Sequence, residues 1–565
     1  MPFRFPFQQQ YQEIARARQI AEVLIKNGLG FLVEQFELTR FLPTWRGRVV
    51  GVGRLVDRLS VPQRIRHTIE ELGPTFIKLG QLVSTRPDLL PMEYIDELSK
   101  LLDAAPPIPL TEVKTLIGQE LGAPVEELFA TFQPEPMAAA SIGQAHRATL
   151  LDGQEVIVKV QRPGIEAVVE ADLDIIMRQA RFLEGRSELL RDYNLVEIVE
   201  EFSYALRNEL DYVIEGRNAD RFRRNFADDR RVVIPKVYWS LSTHRVLTLE
   251  ELSGIKLNNL ARLKEEGYDF STLAEIGTTI YLKQIFVDGF FHADPHPANI
   301  FVLDGERIGL VDFGMVGYLT SGMKGALVDL FLGLINEDVE GTTQSLLRMG
   351  RPGRGVDEEA LRRDVHRFLV SYYGLALEQI KVGEILEEVF RLAFRHRLHM
   401  PSDLALLGRS LIVLEGVARR LDPDFMLVEA ARPFAEQLML ERLSPLRVGR
   451  DLLRSIWEFN QLAQRLPTRL DSLFDQIQQG EAGVNVELTQ LEQFMARLDV
   501  VANRLAFSLI VAAAIIGSAL IIQGGTSIWY LPFLGWSLPI AHISFFLAGL
   551  LGAWLLFSIL RSRGL

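Results

Sequence analysis

At 565 residues the chain exceeds one compact core, and at roughly 100–200 residues per domain several structural units are expected. Apolar residues make up 48% and charged residues 24%, as in an ordinary folded protein, and a net charge of −12 leaves no overall basic footprint for nucleic acid. Cysteine is absent, which excludes disulfides, thiolate catalysis and cysteine-ligated metals.

The N-terminus, MPFRFPFQQQYQEIARARQ, has no apolar core and no small-residue cleavage site, so a secretory signal is not expected and the bulk of the chain reads as cytoplasmic. Residues 8–45 read as an amphipathic helical region, with Ile14, Ile20, Val23, Leu24, Leu29 and Phe31 among Arg16, Arg18 and Lys26. Two readings stand open for it: a helix lying on a membrane surface, or one packed on its own domain. A second helical block covers 62–105, and Ala104 to Pro109 breaks it. Between about 110 and 255 the pattern is mixed. Glu155–Val160 and Arg245–Leu249 are β-branched runs that predict strands, with a helical pattern over 163–225 between them. Residues 272–290 read as a helix, 300–302 and 308–311 as short strands, and 320–500 as almost entirely helical.

From Leu505 to Leu560 there is no Asp, Glu, Lys or Arg over 56 residues, with apolar runs at Leu505–Ile522 and Ile540–Leu560. A bilayer core takes about 20 apolar residues per helix, so the spacing predicts a transmembrane hairpin of two helices. A buried hairpin in a soluble core is disfavoured, because soluble helices keep a charged stripe. Arg497 and Arg504 flank one end and Arg561 and Arg563 the other, which puts both ends on the cytoplasmic side.

The sharpest chemistry lies in FFHADPHPANIFVLDGERIGLVDFGMVG, residues 290–317. Asn299 follows Asp294 by five residues, and Asp312-Phe313-Gly314 follows Asn299 by thirteen. Protein kinases place a catalytic Asp, an Asn and a D-F-G in this order. Phosphoryl transfer needs magnesium across the phosphates, and magnesium takes oxygen ligands. Asn299 and Asp312 are therefore the predicted metal ligands, and Asp294 is placed to orient or deprotonate an attacking hydroxyl or water. His292 and His296 bracket Asp294, but His292 fits the first catalytic-loop position and reads as a backbone brace rather than a metal ligand.

Lys159, in VIVKV, is a lone charge in a strand, which is costly to bury unless paired. In kinases a lysine at this place contacts nucleotide phosphates and pairs with a helix glutamate. Pro136–Ala145, with Ala138, Ala139, Ala140 and Ser141, lies where a kinase glycine-rich loop would lie. Alanine replaces most glycines there, which predicts a loop that closes differently. Lys78 and Gln81 are three apart and share a helix face. On physics alone that is a solvated helix. Asn208–Glu215 offers three carboxylates to the two lysines, Asp211 and Glu215 being four apart. No A-P-E follows Asp312, so a standard activation segment and peptide platform are missing.

KLGQ (78–81), AAAS (138–141), Lys159, ELD (209–211), HADPHPAN (292–299) and DFG (312–314) together resemble the UbiB family of atypical kinase-like proteins. The resemblance covers about residues 60–430. It implies an α+β, divergent protein-kinase-like bilobal fold with an N-terminal helical extension, a largely helical C-lobe and a C-terminal two-helix transmembrane hairpin. The corresponding division is 1–60 amphipathic region, 61–110 K-x-G-Q extension, 111–255 N-lobe with helical insertion, 256–430 C-lobe, 431–500 helical linker and 501–565 hairpin. The cofactors implied are ATP and Mg2+. Catalytic residues are Asp294, Lys159 and Lys78; nucleotide contacts add Glu215, Glu250 and Leu252 to the alanine loop. Lys78, Gln81, Glu209 and Asp211 form a regulatory lid over the peptide site, with Lys78 pointing into the active site and Glu215 pairing with Lys159. The implied function is a membrane-anchored kinase or ATPase supporting ubiquinone or other isoprenoid-lipid biosynthesis at the inner (cytoplasmic) membrane. Its expected partners are membrane lipid, isoprenoid lipids or enzymes of quinone biosynthesis, and not nucleic acid. The alternatives are a true protein kinase, or a nucleotide-sensing lipid-binding chaperone without turnover. No flavin fingerprint or persuasive redox-metal site favours a hydroxylase.

Overall fold

The computed structural model describes residues 6–38, 59–84, 90–101, 105–186, 191, 194–352, 356–372 and 381–442, with 516, 529–531, 536–538, 546–547 and 550 in a separate C-terminal unit, Gly449–Leu565. The first unit, Met1–Val448, opens with α1 (Pro6–Lys26) and α2 (Gly30–Gln35). Ala17, Ile20, Ala21, Val23 and Leu24 of α1, Leu29 at the N-cap of α2 and Val33 of α2 are buried together with Leu72 and Ile175. Of the two readings, packing on its own domain describes most of this apolar face, while Ile14 and Phe31 remain exposed.

The extension follows as α3 (Val61–Leu72), α4 (Pro74–Val83) and α5 (Met92–Leu98). Ser60 caps α3 in a capping box with Gln63, and Gly73 (φ 95°) with Pro74 turns the chain into α4. Gly80 lets α4 pack closely, since a Cβ there would press on the side-chain ends of Leu101 and Ile69.

After α6 (Leu110–Leu121) and α7 (Val125–Leu128), β1 (Phe129–Phe132), β2 (Ala138–Ala139), β3 (Gly143–Leu150), β4 (Glu155–Gln161) and later β6 (Val246–Glu250) make an antiparallel sheet. Its path is β1-β3-β4-β6, with β2 also on β3. Val156, Val158 and Val160 alternate inward against Val113, Leu116 and Ile117 of α6. Period-two alternation therefore turns Lys159 to the other face, between Ala145 and Leu247.

Between β4 and β6 the helical pattern resolves into α8 (Ile165–Arg186), α9 (Leu195–Glu209) and α10 (Tyr212–Asn225), then β5 (Val232–Val233). Leu79 and Leu82 of α4 pack on a buried cluster of Ile142, Ile165, Val169, Leu173, Phe202 and Leu206, which ties the extension to α8, α9 and the alanine loop.

The next elements are β7 (Ile255–Lys256), α11 (Leu260–Glu265) and α12 (Phe270–Leu282). The predicted helix over 272–290 does not continue as one α-helix: residues Lys283–Asp288 form a π-helical turn, closed by Lys283 on Asp288 at 2.9 Å. That turn delivers β8 (Phe290–His292), followed by β9 (Ile300–Leu303), β10 (Arg307–Leu310) and β11 (Val316–Tyr318). β9 and β10 form a hairpin whose turn holds Gly305 (φ 73°) and Glu306 (φ 58°), and β11 pairs antiparallel with β8. The rest of the described unit is helical apart from the pair β12 (Arg351–Pro352) and β13 (Leu398–His399): α13 (Ser321–Ile335), α14 (Val339–Met349), α15 (Glu358–Tyr372), α16 (Val382–Arg395), α17 (Ser402–Leu421) and α18 (Leu427–Arg442).

Among the described residues no helix is long and apolar enough to cross a membrane; the apolar runs 505–522 and 540–560 lie almost wholly outside them. Between those runs β14 (Trp529–Leu531) pairs antiparallel with β15 (Trp536–Leu538).

Candidate active site

Lys159 donates to Glu215 of α10 and, at 3.1 Å, to Asp312 Oδ1. Burial works against the ammonium, but Asp312 and then Glu215 more than offset it, and the net shift of Lys159 is upward. Lys159 in turn holds the Asp312 carboxyl down to about 2, against the opposing effect of burial, with lesser help from His292 and Lys78. Glu215 moves the other way: burial raises it more than Lys159 lowers it. Lys159 is thus shared between Asp312 and Glu215, the latter a deeply buried hydrogen-bond acceptor.

Asp312 sits at φ 66°, a left-handed backbone that a non-glycine residue adopts only when its surroundings impose it. Those surroundings come from α10. Asn218 Nδ2 donates to the Phe313 carbonyl at 3.0 Å, and the Phe222 ring packs 5.3 Å from Phe313, which is fully buried. One helix therefore carries the lysine's partner and clamps the D-F-G backbone.

His292 is fully buried. Its Nδ1 accepts from the Asp294 N–H at 3.2 Å, so Nε2 carries the proton and donates to the Val311 carbonyl at 3.0 Å. The imidazole staples the Asp294 loop to the strand leading into Asp312. Among the described residues no group of three or more His, Asp or Glu is arranged to hold a metal. Asn299 Nδ2 donates to Asp294 Oδ2 at 2.9 Å, which fixes the amide so that its oxygen is the group left for another partner. The Val311 N–H donates to the Asn299 carbonyl at 3.0 Å, so the β9–β10 hairpin brings Asn299 and Asp312 to one end. An ionised carboxylate and an amide oxygen form a hard, oxygen-only donor set of the kind magnesium takes, and the residues fit that ion.

Ala138, Ala139, Ala140 and Ser141 all keep negative φ, so this turn needs no glycine-like backbone. Ala138 and Ala139 pair with Ala145 and Gln144, and the Ala140 N–H donates to the Gly143 carbonyl at 2.8 Å. Arg162 braces the turn, with Nε donating to the Ala140 carbonyl at 3.0 Å and Nη2 to Pro106 at 2.6 Å. Gly143 is obligatory, because a Cβ would meet Tyr212 Oη at 2.4 Å and the Val160 carbonyl at 2.6 Å.

Lys78 of α4 forms an ion pair with Glu209, at the end of α9, and its field reaches Asp312. The four-residue spacing of Asp211 and Glu215 predicts one shared helix face, but Asp211 stands at the N-cap: it accepts from the Val213 N–H at 2.9 Å and binds His244 Nδ1 at 2.7 Å. Gln81 Nε2 donates to the Leu101 carbonyl at 3.2 Å, so it staples the extension internally. The Glu250 carboxylate is committed to the Lys236 N–H at 3.0 Å, and Leu252 lies beside Gly309. Sequence reasoning missed Asn218, Arg162 and buried Gln144, whose Oε1 accepts from the Ile108 N–H at 2.7 Å. Each acts on a main-chain group distant in sequence, which leaves no periodic signature.

A five-stranded antiparallel sheet beside a helical lobe, with a lysine–glutamate–D-F-G aspartate cluster and a hydrogen-bonded Asp–Asn loop, defines a kinase-like protein. The ABC1 atypical kinase-like domain matches residues 100–346, the UbiB helical domain 365–426, and the ABC1/UbiB kinase-like C-terminal domain 489–561. An uncharacterized protein of Synechocystis sp. is 36% identical over 462 residues, covering 81% of this chain and 79% of its own. A probable protein kinase UbiB of Cellvibrio japonicus is 35% identical, covering 76% and 79%. The chloroplastic Arabidopsis thaliana protein ACTIVITY OF BC1 COMPLEX KINASE 7 is 39% identical, covering 69% of this chain and 56% of its own. The chain belongs to the ABC1/UbiB family of atypical kinase-like proteins.

Proposed function

We propose that this protein binds Mg–ATP in the cleft between its sheet and its helical lobe and transfers the γ-phosphoryl group to water or a small acceptor, in support of ubiquinone or other isoprenoid-lipid biosynthesis. The observation that supports it most is the meeting of Lys159, Glu215 and Asp312 beside the Asp294–Asn299 pair. Asn299 and Asp312 would hold the magnesium, which supplies charge neutralisation across the phosphates when bound. Lys159 orients the nucleotide phosphates. Asp294, held by Asn299, accepts the proton of the attacking hydroxyl as its oxygen bonds to the γ-phosphorus. The γ–β oxygen–phosphorus bond breaks, and ADP leaves with that electron pair.

On this reading Lys78, paired with Glu209 and within the field of Asp312, slows turnover, and the extension that carries it disfavours peptide acceptors. The missing A-P-E points the same way. The charge-free stretch 505–560 supports a membrane hairpin, and its described side chains Ile516, Phe546, Leu547 and Leu550 are all exposed, as lipid-facing groups would be. The test is phosphate release by the purified full chain, with and without membranes and prenylated phenols. Magnesium-dependent release that rises with these additions supports the reading. Efficient labelling of generic proteins by the wild type would turn it toward a protein kinase.

A further inference from the structure

At the root of the helix that carries Lys78 lies a buried ion pair that the chemistry does not use. Arg16 of α1 donates from Nε to Asp172 Oδ1 at 2.7 Å and from Nη2 to Asp172 Oδ2 at 3.0 Å. Nη2 also donates to the Leu72 carbonyl at 2.7 Å, and Nη1 to Gln19 at 2.8 Å. The Asp172 side chain is 0% exposed and that of Arg16 15%.

Leu72 is the last residue of α3, and the left-handed Gly73 turn follows directly, so the bonded carbonyl sits at the joint that aims α4. The guanidinium also lies 5.8 Å from the ring of Phe76, in the first turns of α4. Ala17, Ile20, Ala21, Val23 and Leu24 of α1 are already buried in apolar packing without this pair. Burying two charges for stability alone is poorly rewarded, whereas a planar fork on a carboxylate fixes an angle. Asp172 stands on α8, and α8 is the surface on which Leu79 and Leu82 of α4, and Phe202 and Leu206 of α9, come together. Lys78 and Glu209 pair across that same surface.

We propose that Arg16 is a positioning residue for Lys78. By forking onto Asp172 and the Leu72 carbonyl it fixes the α3–α4 joint against α8, so the N-terminal helix sets how Lys78 stands beside Asp312. Drawing α1 away would free the Lys78 helix while Lys159, Asp294, Asn299 and Asp312, which α1 does not touch, keep their mutual contacts. This rests on the reading that Lys78 governs nucleotide handling.

The experiment uses the full chain carrying Arg16→Met with Asp172→Asn, which removes both charges and leaves no buried carboxylate unpaired. Hydrogen exchange is followed at residues 74–83, and Mg–ADP affinity is measured with and without Lys78→Ala. The expected result is cooperative melting, exchange across α4 faster by about tenfold or more, and unchanged protection of β8 and β11. Affinity shifts in the direction that Lys78→Ala produces, and adding Lys78→Ala then changes little, as for residues acting in one chain of contacts. Arg16→Lys, which keeps the charge and loses the fork, gives a smaller acceleration, and it decides the matter if the double variant does not fold. Wild-type exchange at α4 in these variants, or affinity changes that simply add, overturns the proposal. If Lys78→Ala itself leaves affinity unchanged, the nucleotide reading fails, while the exchange data still decide whether Arg16 sets α4.

Discussion

Lys159 meets two carboxylates, and they respond differently to acid. Asp312 is held down to about 2, below its ordinary 3.8, so its contribution is fully present above the unfolded value near 4 and is lost as pH falls toward about 2. The Asp312 side chain is 53% exposed, so solvent screens the pair and the loss is modest. Acid titration of stability should show this component in wild type and lack it in Asp312→Asn. Glu215 is the more costly partner to remove, being almost wholly buried. Glu215→Ala is expected to lose about 3 kcal/mol, the low end for breaking a buried pair, because Asp312 remains with the lysine. Urea unfolding measures it, and a loss below about 1 kcal/mol would place the pair among ordinary surface contacts. These residues were legible because D-F-G, the Asp–Asn loop and a strand lysine are local strings. Asn218 was not: its role is one bond to a carbonyl ninety-five residues away.

At the scale of elements, period-two β-branched runs announced β4 and β6, and the short strands around Gly305 announced the β9–β10 hairpin. The π-helical turn at Lys283–Asp288 left no such trace, because its residues are as apolar and as spaced as a helix continuing. Amphipathicity in α1 marked an apolar face but not what covers it, and the cover came from Leu72 and Ile175, distant in sequence. The alanine loop illustrates the same limit. Alanine predicts a more restricted loop than glycine would give, yet no residue from Pro136 to Ala145 has positive φ, so the turn makes no demand that alanine cannot meet. Ala139→Gly therefore loosens the β2–β3 pairing and should change ATP relative to ADP affinity; identical ratios in mutant and wild type would remove the loop from nucleotide handling. Gly143→Ala pushes a methyl against Tyr212 Oη and the Val160 carbonyl, and a loss of about 1–3 kcal/mol is expected from such overpacking. A melting curve equal to wild type would show that Tyr212 and β4 yield at no cost.

For the whole molecule, the extension, the two lobes and the C-terminal unit divide the work. The extension brings Lys78 to Glu209 and toward Asp312; in the proposed function the lobes hold the magnesium–nucleotide and the charge-free stretch 505–560 holds the chain to a lipid surface. Truncation after Ala502 should give protein extractable without detergent; retention on membranes would make a partner or the N-terminal segment the main anchor. The whole account turns on whether the Asp312–Asn299 end of the cleft is a magnesium–nucleotide site. Calorimetric titration of the full chain with ATP, with and without magnesium, in wild type and Asp312→Asn, tests this most directly. The account predicts saturable binding that requires magnesium and disappears in Asp312→Asn with the fold intact. Equal ATP binding in the mutant, or binding indifferent to magnesium, would contradict it.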